Sequence, residues 1–489
     1  MRVGEVLEVN GPVITIGGDG FSLAEVVEIA GRKGEIIAVA VGGATAQVYG
    51  VSAGLWPGLA VTGTGKPMSV TLQPGIVGHI FDGIMQRLDD APATWKVEVT
   101  AKIGQELQPG DVFATVQETP LITYKAMCPS GVFGKVVQTS QCGKIILNTG
   151  RELTLAQTWP IRVPRPVKQR RALDQPLITG QRVIDSLFPI AKGGAVAIPG
   201  GFGTGKTMLQ HQLAKWCDAD LIVYIGCGER GNEMTEVLED FAKLVDPKNN
   251  RPLLERTVLI ANTSDMPVAA REASIYTGIT IAECYRDMGY HVAVMADSTS
   301  RWAEALRELS GRLGEIPAEE GYPAYLASRL SAFYGRAGYV TNLNDTEGSV
   351  TIIGAVSPQG GDFNEPVTQQ TKRFTSCYLA LDRRLAYARH YPAIDWNASY
   401  SGYVGIQKSP DELGLRKQLL DVLHQETDLL EIAGLIGTDA LSQAQQKTLQ
   451  LAKEIRVRFL QQNAYDPADT FMPPEAQYRL IQEILHPFK

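Results

Sequence analysis

The sequence lacks the features of a membrane protein, a disulfide scaffold or a metal-binding module. No apolar run approaches the roughly 20 residues that cross a bilayer, and the opening residues Met1–Glu5 do not read as a signal peptide. The six cysteines form no C-x-x-C pair, and none of the six histidines has metal-ligand spacing. We therefore expect a soluble chain from a reducing cytosol, linked to any membrane only through partners.

The charge balance is also short of positive residues. Asp and Glu number 53 against 46 Lys and Arg, a formal net charge of −7. A chain that binds nucleic acid nonspecifically needs a basic surface, so we expect no nucleic-acid partner. With 489 residues, of which 44% are hydrophobic, the chain is long enough for about two to four globular domains.

A glycine-rich stretch near the middle of the chain matches the phosphate-binding loop G-x-x-x-x-G-K-[ST]. It reads Gly200, Gly201, Phe202, Gly203, Thr204, Gly205, Lys206, Thr207. An apolar run, Ala195–Ile198, precedes it and a helically spaced run, Met208–Trp216, follows it. Strand, loop and helix thus come in the order of a nucleotide site, with the phosphates at the helix N-terminus. Lys206 is expected to contact the β- and γ-phosphates, and Thr207 to offer a hydroxyl to Mg²⁺.

Two carboxylates follow buried-strand patterns further along. The run Leu221–Ile225 leads into Gly226-Cys227-Gly228 and then Glu229 and Arg230. A carboxylate at the end of a core strand lies where open α/β sheets bind ligands, so Glu229 could position a water and Arg230 could offset phosphate charge. The alternative is a surface turn that starts the next helix.

The second carboxylate, Asp297, ends the apolar run His291–Ala296. This is the arrangement in which P-loop enzymes hold Mg²⁺, often through water. The alternative is that Asp297 caps the next helix. Arg301, one turn further on, either faces the phosphates or is solvated.

Hydrophobic periodicity divides the chain into four parts. Residues 1–66 carry short Val- and Ile-rich runs between glycine turns, which predicts a small β-barrel. Residues 67–91 and 161–404 form a P-loop domain of α/β class, with a parallel sheet. Residues 92–160 form a β-rich block inserted into it, and residues 405–489 show helical spacing without strand patterns.

The longer motifs resemble those of the catalytic A subunit of vacuolar and archaeal-type rotary ATPases, over nearly the whole chain. The stretches that carry the resemblance are Gly203–Thr207, Gly226–Met234, Ala261–Pro267, Met295–Ala305, Pro317–Pro323 and Gly354–Pro358. The family has a RecA-like P-loop core with an N-terminal barrel, an inserted bulge domain and a C-terminal helical domain. The resemblance implies ATP hydrolysis or synthesis coupled to H⁺ or Na⁺ transport, at the membrane periphery.

The resemblance also implies roles for individual residues. Glu229 matches the catalytic carboxylate, with Lys206 and Arg230 assisting, and Arg301 lies on the phosphate side. Tyr391 and Tyr465 match the aromatics that sandwich adenine. Nucleotide is expected as ATP or ADP with Mg²⁺, held by Thr207 and by Asp297 through water.

Partners follow from the same resemblance. Where related chains carry an arginine after a segment like Tyr391–Asp395, this chain has Gly402. We therefore expect an alternating A3B3 ring in which a homologous non-catalytic B-type subunit supplies the arginine, although Arg389 or Lys408 could replace it. A central rotor stalk, a peripheral stalk and a membrane ion-translocating sector complete the expected complex.

Three departures from the family pattern stand out. The inserted block is shorter than usual, and the helical region after Tyr465 is shorter as well, which bears on coupling to a rotor. Thr204 stands where eukaryotic vacuolar relatives have a redox-sensitive cysteine, so we expect no regulatory disulfide there.

Two other functions compete with this one. A homohexameric ATPase of a protein export apparatus shares the same core, and Gly402 argues against it because a homohexamer would lack the arginine. A non-catalytic subunit that only binds nucleotide is disfavoured by Lys206, Thr207 and Glu229.

Overall fold

The computed structural model describes residues 2–89, 95–406, 409–437 and 441–488. The predicted domain boundary at residues 91 and 92 and the residue Lys408 lie outside these ranges. The chain forms two compact units, the first made of Met1–Arg171 with Asp220–Val350 and the second of Ala172–Ala219 with Thr351–Lys489. Each is described in turn.

The first unit begins with a closed six-stranded barrel, as the sequence predicted. Alternate residues of its strands, such as Ile14, Ile16, Val27 and Ile29, are buried in the barrel core, since successive side chains of a strand point to opposite faces. In chain order the strands are Arg2–Asn10, Val13–Gly17, Glu25–Ile29, Arg32–Ala40, Gly43–Val48 and Ala60–Pro67.

The β-rich block that follows folds into small antiparallel sheets. One has three strands and another has four. A further strand pairs with Ser69–Leu72, which connects the block back to the chain after the barrel. The strands are Val97–Val99, Glu106–Leu107, Val112–Gln117, Thr123–Met127, Gly134–Thr139, Ile145–Leu147, Glu152–Leu153 and Gln157–Pro160.

The first unit also contains parallel strands of the α/β core. In spatial order they are Ile80–Phe81, Thr257–Thr263, Leu221–Glu229 and His291–Asp297. The strands Gln169–Arg170 and Gly338–Thr341 pair antiparallel beside them. The helices of this unit are Gly231–Lys243, Val268–Asp287, Thr299–Arg312 and Leu326–Tyr334.

Two strands run further than their apolar patterns suggested. The first reaches Glu229 instead of stopping near Ile225, with a register shift between Cys227 and Glu229, and the second includes Asp297. The glycines at 226 and 228 did not end the first strand, because neighbouring strands pair along it. Both carboxylates are therefore strand residues rather than loop residues.

The helix Val268–Asp287 is buried along almost its whole length. Its two glutamates are paired with arginines: Glu283 accepts from Arg336 at 2.9 and 2.6 Å. Glu272 accepts from Arg162 at 2.9 and 2.8 Å. Such pairing is what allows charges to be buried in a helix of this kind.

The second unit carries the phosphate-loop strand and the helical tail. The strand Ala195–Pro199 pairs in parallel with residues 352–356 and with Cys377–Tyr378, which in turn pairs with Tyr400–Ser401. A ribbon is formed by Pro176–Leu177 and Ile190–Ala191. The helices are Lys206–Trp216, Pro366–Phe374, Arg383–Tyr387, Pro410–Ile436, Gln443–Glu454 and Pro474–Leu485.

The predicted fold class, an α/β P-loop core with a barrel and a helical tail, is confirmed. The tail's first helix begins with a capping box, in which Ser409 and Glu412 each bond the other's backbone N–H. Among the described residues, no helix is both long enough and apolar enough to cross a membrane.

Candidate functional site

The phosphate loop of the second unit curls as its sequence requires. Gly203 and Gly205 adopt φ of +75° and +87°, a conformation that is costly for residues with a Cβ. Thr204 is buried, and its hydroxyl donates to the Gly201 carbonyl at 2.8 Å. The Lys206 ammonium donates to the carbonyls of Gly200 and Gly201 at 2.7 and 3.0 Å. The positive charge is thus held inside the loop, at the first turn of the helix Lys206–Trp216.

Two further members of the loop motif face outward. Phe202 is 82% exposed at the tip of the loop. Thr207 is exposed in the first turn of the helix. Their exposure leaves the outer side of the loop accessible to a ligand.

A cavity of about 620 Å³ lies beside the loop within the same unit. Thr204, Gly205 and Met208 line one part of it, and Tyr391 and Tyr465 line another. The two tyrosines are 41% and 80% exposed, which is unusual for aromatic side chains without a partner surface. The structure therefore brings both predicted adenine-contacting tyrosines to a cavity that adjoins the phosphate loop.

A buried arginine fixes the segment that carries Tyr465. Arg182 donates to the carbonyls of Phe459 and Gln461 and to the Asp469 carboxylate, at 2.6, 2.5 and 2.5 Å. Its own backbone N–H donates to Gln462 at 2.9 Å. Tyr465 is thus held on an anchored loop, although its ring is exposed to solvent.

The first unit brings the two predicted carboxylates, Glu229 and Asp297, into one acidic cluster. Glu229 lies near Asp297 and Glu233, with Arg301 as the nearby cation. Burial, followed by the Asp297 charge and a hydrogen bond with Glu233, raises the pKa of Glu229 to about 8, although Arg301 opposes the shift. A carboxyl with such a pKa can exchange a proton near neutral pH.

The other predicted residues of this unit surround the cluster. The Asp297 carboxylate is buried and accepts a hydrogen bond from the Tyr224 hydroxyl at 3.1 Å. Arg301 pairs with Glu304 at 2.9 Å and also contributes to the field at Glu229. Arg230 precedes the helix Gly231–Lys243 and is mainly exposed, 3.8 Å from Glu233.

The backbone that carries Glu229 is held by residues that the sequence did not single out. Arg271 donates to the Ser264 carbonyl at 2.8 Å, and the Ser264 N–H donates to the Glu229 carbonyl at 2.8 Å. Gly228 has φ of +74°, and a Cβ there would lie 2.7 Å from Arg271. The glycine before Glu229 is therefore required by this packing.

The missed residues differ in what the sequence could have revealed. Glu233 follows Glu229 by four residues and lies within a motif that had already been recognised. Arg182 is far from its partners in sequence. Arg271 bonds Ser264, only seven positions away, but no local pattern distinguishes it from a surface arginine.

Gly402 stands where related chains carry an arginine, and Arg389 is one of the residues that could replace that arginine. Both lie in the second unit. Gly402 is exposed, and a Cβ there would lie 3.3 Å from the Ser376 carbonyl. Arg389 lines the cavity that holds Tyr391 and Tyr465. Lys408 lies outside the described residues.

Three family models match consecutive parts of the chain. The nucleotide-binding domain of the ATP synthase alpha/beta family matches residues 180–401. The barrel-sandwich domain of ATP synthase alpha/beta subunits matches residues 86–162. The C-terminal domain of V and A type ATP synthases matches residues 407–488.

The fold also occurs among solved structures. The assembled ATPase EscN from the type III secretion system of enteropathogenic E. coli is similar with a TM-score of 0.76, covering 99% of this chain and 100% of its own, at 22% identity. That likeness concerns the fold alone.

Relatives of higher identity are synthase chains. The chain is 56% identical to a V-type ATP synthase alpha chain 2 from Clostridium tetani, over 99% of its own length and 88% of the relative's. It is 51% identical to the A subunit of the A-type ATP synthase from Methanopyrus kandleri, over 99% and 89%. The resemblance seen in the motifs is thereby confirmed: the chain belongs to the V-type and A-type ATP synthase family, among its alpha chains or A subunits, which are ATP hydrolases or synthases.

Proposed function

We propose that the chain is the catalytic subunit, which binds ATP at the phosphate loop and the adjoining cavity and uses Glu229 as its catalytic carboxylate. The observation that carries this is the cavity that joins Tyr391 and Tyr465 to the phosphate loop. The loop, including Lys206, binds the triphosphate. The two tyrosines stack on adenine, because every base has a π-face that aromatic rings can cover.

The residues present also fit Mg²⁺. This ion prefers oxygen ligands and takes few of them from protein, the rest coming from phosphates and water. Thr207 offers a hydroxyl at the start of its helix, and Asp297 offers a carboxylate oriented by Tyr224. When bound with nucleotide, Mg²⁺ would offset the negative charge of the phosphates.

Glu229 is proposed as the group that orients and deprotonates the attacking water in hydrolysis, and returns the proton in synthesis. Its raised pKa supports this, since a base of that pKa can both accept and release a proton near pH 7. Arg230 and Arg301 are proposed to lie near the phosphates and to offset their negative charge.

The arginine that completes phosphoryl transfer is proposed to come from a partner. Gly402 has no side chain with which to stabilise developing charge. A homologous non-catalytic B-type subunit in an alternating A3B3 ring would supply it, as arginines given in trans do in other NTPases. Rotor and peripheral stalks would link this ring to an ion-translocating membrane sector moving H⁺ or Na⁺, so the chain would work at the membrane periphery.

We also propose that the four domains are divided at residues 66, 91, 160 and 404. The closed barrel, whose last strand is Ala60–Pro67, and the start of the tail helix at Pro410 support them.

The experiment that tests the catalytic proposal compares this chain alone with the reconstituted ring. We expect near-zero steady-state ATP hydrolysis from the chain alone and recovery when the B-type partner is added. Recovery should fail with a partner whose arginine is replaced by alanine, while assembly persists. Turnover on the order of 10 s⁻¹ from the single-chain preparation would contradict the need for a partner and would favour the export-type homohexamer.

A further inference from the structure

Two glutamines line the same cavity as the tyrosines, and one residue orients both of them. Gln181 and Gln212 are lining residues. Gln212 lies on the helix of the phosphate loop and is partly exposed, whereas Gln181 is almost fully buried. Thr470, which is also buried, hydrogen-bonds to both side chains.

The amide of Gln212 has a defined direction because of a hydrogen-bond relay. The Trp216 indole N–H donates to the Thr470 hydroxyl at 3.1 Å. The hydroxyl in turn donates to Oε1 of Gln212 at 2.9 Å. An indole nitrogen can only donate, so the Thr470 oxygen accepts there and has its own hydrogen left for Gln212. With Oε1 fixed in this way, Gln212 offers its NH₂ group as a donor.

The side-chain amide of Gln181 is also fixed, but by its nitrogen, whereas that of Gln212 is fixed by its oxygen. Its Nε2 donates to the Thr470 backbone carbonyl at 3.0 Å. The Thr470 N–H donates to the Asp466 carbonyl at 2.8 Å, which holds that backbone in place. With Nε2 engaged, Gln181 offers its Oε1 as an acceptor. Within the described ranges, neither Oε1 of Gln181 nor Nε2 of Gln212 has a hydrogen-bond partner.

The relay itself is rigidly supported. The Trp216 ring stacks on Phe471, with centroids 4.8 Å apart and planes 23° apart. Gly180 packs so closely on Phe471 that an added Cβ would lie 1.9 Å from the ring. The indole therefore cannot turn to release Thr470 without moving its neighbours, and both amides keep their directions.

We propose that Gln181 and Gln212 read the edge of the purine and select adenine. This deepens the proposed function, since it rests on nucleotide binding in this cavity. Adenine carries an acceptor at N1 and an amino donor at N6. The Gln212 NH₂ donates to N1, and the Gln181 oxygen accepts from the N6 amino group. Hypoxanthine and guanine carry N1–H and O6 instead, so donor would meet donor and acceptor would meet acceptor.

This readout is separate from stacking. The tyrosines accept any base, because stacking depends on the π-face and not on edge chemistry. Discrimination thus comes from the glutamines, and its direction is set by Thr470, a positioning residue that need not touch the base.

The test compares ATP with ITP, which differ only at positions 1 and 6 of the purine. Equilibrium competition against a fluorescent ATP analogue, on the full-length chain, gives the ratio of dissociation constants. We expect ITP to bind about 10–100-fold more weakly than ATP. This comparison needs no variant and so does not depend on any mutant folding.

A matched pair of variants isolates the relay. Thr470→Ser keeps the hydroxyl and should retain the wild-type ATP:ITP ratio, whereas Thr470→Val keeps the size and should reduce the ratio to about threefold. Gln212→Glu replaces the donor by an acceptor and should lower the ratio further or reverse it. Gln446→Leu, a glutamine of the helix Gln443–Glu454 whose amide bonds the Leu441 carbonyl, is the control and should leave the ratio unchanged.

The outcomes separate this inference from the proposed function. Equal affinity of the wild type for ATP and ITP, or a wild-type ratio in folded Thr470→Val, would overturn the edge readout and leave ATP binding intact. Failure of the wild type to bind any nucleotide would overturn both.

Discussion

The cavity beside the phosphate loop and the acidic cluster around Glu229 differ both in the residues that form them and in the task proposed for each. Around the cavity, two tyrosines are open and the polar groups are mostly neutral amides held by hydrogen bonds. Around Glu229, the carboxyl groups of Asp297 and Glu233 raise its pKa, and Arg301 opposes the shift. In the proposed function, the first arrangement gains affinity for the base from contact area and depends little on pH. The second raises a carboxyl pKa so that a proton can be exchanged near neutral pH, and it adds little to affinity.

This contrast teaches that binding and chemistry should be separable by mutation. The cavity belongs to the second compact unit, and the cluster to the first. Substitutions in the cavity should change Kd and leave the pH dependence alone, whereas substitutions in the cluster should do the reverse. Three predictions test this separation.

The largest effect is expected from Glu229→Gln in the assembled ring. Loss of the proton-accepting group should lower kcat by roughly 10²-fold or more. The dissociation constant for ATP should stay within about twofold of wild type, because the loop and the tyrosines are intact. Steady-state hydrolysis and equilibrium nucleotide binding measure the two quantities. Wild-type kcat in this variant would remove Glu229 from catalysis.

Next in size are the tyrosines. Tyr391→Ala and Tyr465→Ala should each weaken ATP binding by about 1–3 kcal/mol, the scale of base–aromatic stacking. Inorganic tripolyphosphate, which has no base, should bind these variants as it binds wild type and so serves as the matched control. If both ligands weakened equally, the tyrosines would be supporting the loop rather than the base.

The smallest effect is a shift in pH dependence caused by Asp297→Asn. With a Glu229 pKa of about 8, the active carboxylate form is scarce below that pH, so kcat should rise with pH and level off above about 8. Removing the Asp297 charge removes one cause of the raised pKa, so the rise should move to lower pH.

The same variant should need more Mg²⁺ for half-maximal activity, because a metal-shell carboxylate is lost. The pH profile is measured at saturating Mg²⁺, which keeps the two effects apart. Glu229→Gln is the control, since it should show no such rise. A profile in Asp297→Asn that coincides with wild type would show that its charge does not act on Glu229.

Much of this could be predicted from local sequence patterns. The loop from Gly200 to Thr207, the barrel and the buried strands have short-range signatures, since each depends on neighbouring residues. Glu229 and Asp297 were found because their apolar runs could be traced, although the strands proved to include them.

Residues whose role depends on distant partners could not be predicted. Thr470 orients Gln212 from 258 positions away, and Arg182 holds Asp469 from 287 positions away. The two tyrosines were identified only through the family resemblance, because an aromatic residue in sequence is more often buried than open. The raised pKa of Glu229 was equally hidden, since it arises from burial and from carboxyl groups on two other elements, at Asp297 and Glu233.

The closed barrel at the N-terminus has a consequence for how unlike chains recognise one another. A strand at a sheet edge offers unpaired backbone groups, which are the same in every protein and pair indiscriminately. Closure of the six strands leaves no such edge. A neighbouring chain that binds the barrel must therefore contact its side chains, which include the exposed Leu23 and Trp56. The barrel thus offers any neighbouring chain a surface whose character is set by its side chains and not by its backbone.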